Sequence, residues 1–222
     1  KSALMLCGLN INGKLSIIEK AKTRDHTERL FKYLNIKFKQ KNLKNGSKLI
    51  ELNGPYEIRS KDIRVASDPS SAAFFIVGAL ITPGSKIQLN NIALNPTRIE
   101  YINVLKKMGA IISIKKTGTI CGEEIGNIKA EYSQLNGIKI NKSLAPLLID
   151  EYPILSIAAS RAKGKTHMYG LDELRKKESD RIKSIIINLN KVGIKATNKK
   201  DKISIHGGGC LPQKDKRIRT FG

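Results

Sequence analysis

Two short segments carry the residue types that acid–base chemistry on an anion needs. The first is Leu174-Arg175-Lys176-Lys177-Glu178-Ser179-Asp180-Arg181, which sets cations beside a carboxylate where a helix is about to start. A helix N-terminus presents free backbone N–H groups and the positive end of a dipole. With Lys177 and Arg181 added, the segment suits a phosphate or a carboxylate. Glu178 sits inside that cluster, where neighbouring charges set its pKa and so its use as acid or base. The plainer reading of the same spacing is a surface helix capped by Asp180, with Lys177 and Arg181 on one face. The second segment is Asp150-Glu151-Tyr152-Pro153, which follows the apolar run Leu147-Leu148-Ile149. Pro153 is well placed to begin a helix, and Asp150 is either its N-cap or a shielded carboxylate free for chemistry.

Positioning these groups falls to a unit that occurs three times. Each copy opens with an apolar, Ala-containing helix, expected over 2–9, 70–81 and 153–162, and buried on most sides. Gly13, Gly84 or Gly164 follows, then a short strand over 15–18, 86–89 or 166–169. A turn carrying Thr or Asp beside Arg comes next: Thr23-Arg24, Thr97-Arg98 and Asp180-Arg181. An amphipathic helix ends at Asn35, Gly109 or Gly193, as a left-handed C-terminal residue requires. Strands then leave over 36–38, 110–114 and 194–197, and others are expected over 63–66, 137–140 and 203–206. The fold class is therefore α/β (α+β), built from repeated βαβαββ units around buried central helices. In the third unit Asp150 precedes the first helix and Glu178 the second, so two carboxylates and two cations converge at one end. Arg24 and Arg98 hold the equivalent turns of the other units, as anion contacts or as plain ion pairs. Val65-Ala66-Ser67-Asp68-Pro69-Ser70-Ser71 is the natural hinge, dividing 1–66 from 67–222.

Composition narrows the partners. The 222 residues carry a formal charge of +22, which favours anionic ligands. The cations are scattered and mostly Lys, Trp is absent and aromatics are few, so a stacking platform for single-stranded nucleic acid is not indicated. Cys7, Cys121 and Cys210 lie far apart, and His26, His167 and His206 have no paired spacing. That argues for a reducing compartment, expected to be the cytoplasm, and against a metal centre. The longest apolar stretch, 72–81, is too short to span a bilayer.

The sequence resembles the bacterial type of the EPSP synthase family (3-phosphoshikimate 1-carboxyvinyltransferases). The resemblance rests on Lys1-Ser2-Ala3-Leu4 with Gly8-Leu9, Thr23-Arg24-Asp25-His26-Thr27-Glu28, Asp68-Pro69-Ser70-Ser71-Ala72-Ala73-Phe74 and Asn95-Pro96-Thr97-Arg98. It continues through Ile149-Asp150-Glu151-Tyr152-Pro153 and Leu171 to Arg181. It implies a two-domain enolpyruvyl transferase fold, each domain holding three such units. It also implies transfer of the enolpyruvyl group of phosphoenolpyruvate to the 5-hydroxyl of shikimate 3-phosphate, a shikimate-pathway step toward chorismate. No metal or organic cofactor is implied, no specific nucleic acid, no membrane, and a monomer when intact. By motif match Asp150 both binds substrate and takes the hydroxyl proton, and Glu178 protonates the phosphoenolpyruvate methylene. Lys177 and Arg181 hold substrate anions, and Arg24 contacts shikimate 3-phosphate. The family's segments before Lys1 and after Gly222 have no counterpart here. The chain therefore reads as a central fragment, incomplete at both ends and expected to be inactive alone. Two rivals are the sister transferase acting on UDP-N-acetylglucosamine and a basic nucleic-acid-binding module. The Asp150 and Lys177–Arg181 motifs favour the shikimate reading over the first, and the lack of any groove-reading motif counts against the second.

Overall fold

The computed structural model describes residues 1–177 and 179–208. The described residues pack as two units, Lys1–Ala66 with Thr117–Ile125, and Ser67–Lys116 with residues 126–177 and 179–208.

In the first unit, α1 (Ser2–Gly8) leads into β1 (Gly13–Glu19), α2 (His26–Tyr33), β2 (Lys39–Asn42) and β3 (Lys48–Gly54). The sheet order is β1-β3-β2, antiparallel throughout, with Ile17 opposite Ile50 and Leu15 opposite Leu52. Met5, Ile17, Phe31, Ile36, Ile50 and Leu52 close a small core. Asn35 takes a φ of 59°, the left-handed turn expected at the end of α2. The strand expected over 36–38 starts later, at Lys39. The Ile36 N–H is spent closing the helix, donating to the Phe31 carbonyl at 2.8 Å, and so is not free to pair in a sheet. No strand forms over 63–66, where Ile63 and Val65 stay exposed and the Arg64 N–H donates to Cys121 Sγ at 3.2 Å.

The second unit repeats the order. Its first copy is α3 (Pro69–Ile81), β4 (Lys86–Ala93), α4 (Glu100–Lys107), β5 (Ile111–Ile120) and β6 (Glu123–Glu131), whose strands align β4-β6-β5; the end of β5 and the start of β6, Thr117–Ile125, group with the first unit. β7 (Lys139–Ile140), a 3-10 turn (Lys142–Leu144) and α5 (Ala145–Leu148) connect to the next copy. That copy is α6 (Tyr152–Arg161), β8 (Lys165–Met168), a 3-10 turn (Asp172–Lys176), α7 (Arg181–Lys191), β9 (Ala196–Lys199) and β10 (Lys202–His206). Its sheet runs β7-β8-β10-β9, with β7 parallel to β8 and the other pairs antiparallel.

α3 and α6 are the inner helices. Ala72, Ala73, Ile76 and Leu80 of α3 and Leu155, Ala158 and Ala159 of α6 are buried in one core with Tyr101, Leu105, Met168 and Ile203. Small side chains at the crossing let the two backbones approach closely. The outer side of α3 is less covered than its all-round apolar sequence suggests. Phe74 and Phe75 are exposed, and Phe74 lines an open groove of ≈ 310 Å³ with Ile157 and Leu189. Among the described residues no helix is long and apolar enough to cross a membrane, and no cluster of His, Cys, Asp or Glu is arranged to hold a metal.

Candidate active site

The α5–α6 connection is only three residues long, Ile149, Asp150 and Glu151. Leu148 and Tyr152 on either side are fully buried, so the connection is anchored at both ends. Asp150 is not the N-cap of α6. Glu151 holds that position and makes no side-chain cap bond, so the capping reading of Asp150 falls. The reason is local: Glu151 is still in the helical region, at φ −95° and ψ −9°, which moves the start of α6 one residue past Asp150.

Asp150 faces cations instead. Lys177 Nζ lies 3.4 Å and Arg181 Nη1 3.8 Å from the same oxygen, Asp150 Oδ1. All three side chains are about 30% exposed, enough for a small anion to reach them while bulk water screens them only partly. The 3.8 Å separation is an ion pair without a hydrogen bond. The two cations come from different elements. Lys177 is the residue after the 3-10 turn, and Arg181 opens α7. Asp180 caps α7 through its carboxylate, which accepts from the Lys183 N–H at 3.0 Å. The plainer capping role read from sequence is thus present alongside the cation cluster. Arg175, another cation of the motif, is committed elsewhere, donating to Asp180, to Asn198 at 2.6 Å and to the Lys200 carbonyl. Glu178 lies outside the described residues.

Arg24 belongs to the first unit, where its carbonyl accepts from Lys1 Nζ at 2.8 Å. Its acidic neighbours in sequence pair with other residues: Asp25 with Arg29 at 2.9 Å and Glu28 with Lys1 at 2.8 Å. Lys1 also reaches Glu19 at 2.9 Å. Burial works against the Lys1 charge, but Glu19 and Glu28 outweigh it and raise its pKa above the ordinary lysine value. Arg98 resolves as a structural ion pair. Its Nη2 donates to Asp68 at 2.7 Å and to Ser70 Oγ at 2.8 Å.

The residues that sequence reasoning passed over stand behind Asp150. Glu151 is 2% exposed, and its Oε1 accepts from Ser70 Oγ at 2.5 Å. Asp68 caps α3 by accepting from Ser71 N–H at 2.8 Å. Burial tends to raise the Asp68 carboxyl, yet the bonds from Ser71 and the Arg98 charge hold it below the usual range. The signal available in sequence was the Asp68-Pro69-Ser70 cap itself; its partners 28 and more residues away were not readable.

Comparison with known proteins identifies the family. The sequence profile of the family described as EPSP synthase (3-phosphoshikimate 1-carboxyvinyltransferase) matches residues 1–221. The 3-phosphoshikimate 1-carboxyvinyltransferase of Rhodospirillum rubrum is 40% identical over 213 residues, 96% of this chain and 47% of that protein. The Thermus thermophilus protein of the same name is 41% identical over 221 residues, 100% of this chain and 50% of its own length. The chain thus spans about half the length of the curated relatives it matches. Among solved structures, the EPSP synthase of Acinetobacter baumannii superposes with a TM-score of 0.84 at 40% identity, over 96% of this chain and 47% of that one. The enolpyruvyl transferase NikO from Streptomyces tendae has a TM-score of 0.64 at 12% identity, over 92% of this chain and 45% of that one, a likeness of fold alone. With repeated units, inner helices and a match along nearly the whole chain, the protein belongs to the EPSP synthase family.

Proposed function

We propose that the protein of which these residues are part transfers the enolpyruvyl group of phosphoenolpyruvate to the 5-hydroxyl of shikimate 3-phosphate, releasing phosphate. The observation that carries the reading is Asp150 held beside Lys177 and Arg181 in a chain of this family. The carboxylate accepts the proton of the attacking hydroxyl. Lys177 and Arg181 then hold the substrate anions, with Arg181 on the phosphoenolpyruvate side. Glu178 delivers a proton to the methylene carbon, and Arg24 of the first unit contributes a contact to shikimate 3-phosphate. Addition followed by elimination through a tetrahedral intermediate needs proton transfer and charge stabilisation, which these residue types supply without a cofactor. The working form is a cytoplasmic monomer that binds small phosphorylated substrates, with no specific nucleic acid and no membrane. Residues 1–66 are the end of one domain and 67–222 most of the second.

The test is phosphate release by the full-length protein with both substrates, compared with Asp150→Asn. Loss of a general base costs about 10²- to 10⁴-fold in kcat. Turnover of the variant at the parent rate overturns the assignment of Asp150. Turnover with UDP-N-acetylglucosamine in place of shikimate 3-phosphate overturns the acceptor.

A further inference from the structure

A buried carboxylate that does not cap its own helix calls for an explanation. Glu151 occupies the N-cap position of α6, where a side-chain oxygen would normally accept from the first turn. Instead the carboxylate crosses to α3 and accepts from Ser70 Oγ, while its backbone completes the connection. The Glu151 N–H donates to the Leu148 carbonyl at 2.9 Å, and its carbonyl accepts from Leu155 N–H at 2.9 Å. Ser70 is itself gripped by Arg98, from the turn before α4, and Arg98 by Asp68, the cap of α3. Tyr101, fully buried, donates to the Pro69 carbonyl at 2.9 Å and braces the same helix start.

Removing a carboxylate from water is costly unless its bonds are well made. An apolar residue would cap α6 no worse than Glu151 does, because Glu151 makes no cap bond. What the side chain does achieve is a tie between the residue directly after Asp150 and the start of the other inner helix. That tie adds a side-chain anchor on the C-terminal side of Asp150 to the buried Leu148 and Tyr152 and to the ion pairs of Asp150 with Lys177 and Arg181.

We infer that Glu151, anchored by Ser70 and Arg98, is a positioning residue that fixes Asp150 opposite Lys177 and Arg181. The inference rests on the reading of Asp150 as the proton acceptor. A reacting group displaced by about 1 Å loses on the order of 10²-fold in rate, whereas binding contacts made by other residues are untouched. The effect therefore falls chiefly on kcat, with substrate affinity changed about twofold at most.

The experiment uses the full-length protein and the variants Glu151→Ala, Ser70→Ala, Glu151→Gln, Ser70→Thr and Asp150→Asn. It measures kcat, equilibrium binding of phosphoenolpyruvate and shikimate 3-phosphate, and thermal midpoint. Glu151→Ala is expected to lower kcat on the order of 10²-fold, and Ser70→Ala about 10-fold, with both dissociation constants within about twofold of the parent. Glu151→Gln retains an acceptor and Ser70→Thr retains the hydroxyl, so both should recover most of the rate. The inference is overturned if Asp150→Asn is inactive while folded Ser70→Ala and Glu151→Ala turn over at the parent rate. It is equally overturned if their kcat loss is matched by loss of binding stoichiometry and thermal midpoint, the pattern of a purely structural role. Parent-rate turnover by Asp150→Asn removes the base reading itself and this inference with it.

Discussion

Gly137 and Gly78 make opposite predictions from the same substitution. Gly137 precedes β7, and a Cβ built on it would stand 2.3 Å from the Lys165 carbonyl oxygen, 2.6 Å from its carbon and 2.8 Å from its nitrogen. All three atoms are backbone, so no side-chain rotation relieves the clash. The strand has to move away from β8 by about 1 Å to reach ordinary contact. That displacement falls on three bonds that hold β7 in place. They run from Gly137 N–H to Lys163 O at 2.8 Å, from His167 N–H to Ile138 O at 2.9 Å, and from Tyr169 N–H to Ile140 O at 3.2 Å. Losing two or three bonds at about 1 kcal/mol each makes Gly137→Ala destabilising by about 2–3 kcal/mol. Gly78 lies inside α3 with nothing within 4 Å of its built Cβ. There Ala restricts the unfolded chain without a clash, stabilising by about 0.5–1 kcal/mol. The two variants should therefore differ by about 3 kcal/mol, which equilibrium urea unfolding reads as a separation of about 1–2 M in midpoint. Equal midpoints, or Gly137→Ala within about 0.5 kcal/mol of the parent, would refute the argument that β7 is held by backbone approach. Because β7 feeds the connection that carries Asp150, Gly137→Ala should also reduce turnover in the full-length protein.

Other perturbations are equally direct. Leu155→Ala, at a fully buried position of α6, should cost about 2–5 kcal/mol in denaturant unfolding, and a loss below 1 kcal/mol would mean the α3–α6 core is not packed as described. Lys177→Met removes the nearer cation from Asp150 and should raise KM for a phosphorylated substrate about 10- to 100-fold; unchanged KM values for both substrates would sink its role in holding anions. His167 has its pKa lowered from 6.5 by burial first, and then by Lys202, Lys139, Lys165 and His206. A folded pKa below the unfolded one means that the unfolded chain binds the extra proton first. Stability is therefore full above pH 6.5 and declines as the pH falls from there through the folded pKa. His167→Gln should flatten that decline in unfolding free energy, and an unchanged slope would exclude His167 as a contributor.

Local patterns are written in neighbouring residues, and those were legible. The apolar helices over 69–81 and 152–161 follow from stretches of mostly apolar residues behind Pro at the first turn. The turns at Asn35, Gly109 and Gly193 all take positive φ, as the ends of amphipathic helices require. The strand expected over 36–38 failed because helix closure claimed the Ile36 N–H, and the one over 63–66 because the Arg64 N–H goes to the Cys121 sulfur while Ile63 and Val65 face solvent. Asp150, Lys177 and Arg181 were recognisable as residue types from the sequence alone. Which cation faces which carboxylate was not, since Arg175 turns to Asn198 while Lys177 and Arg181 turn to Asp150. The tie from Arg98 through Ser70 to Glu151 spans three elements and 81 residues between Ser70 and Glu151. By itself, then, the sequence determined the repeated unit, the fold class and the chemistry available. Only the tertiary structure decided which charges meet, because that depends on how separate helices pack across one core and not on any spacing along the chain.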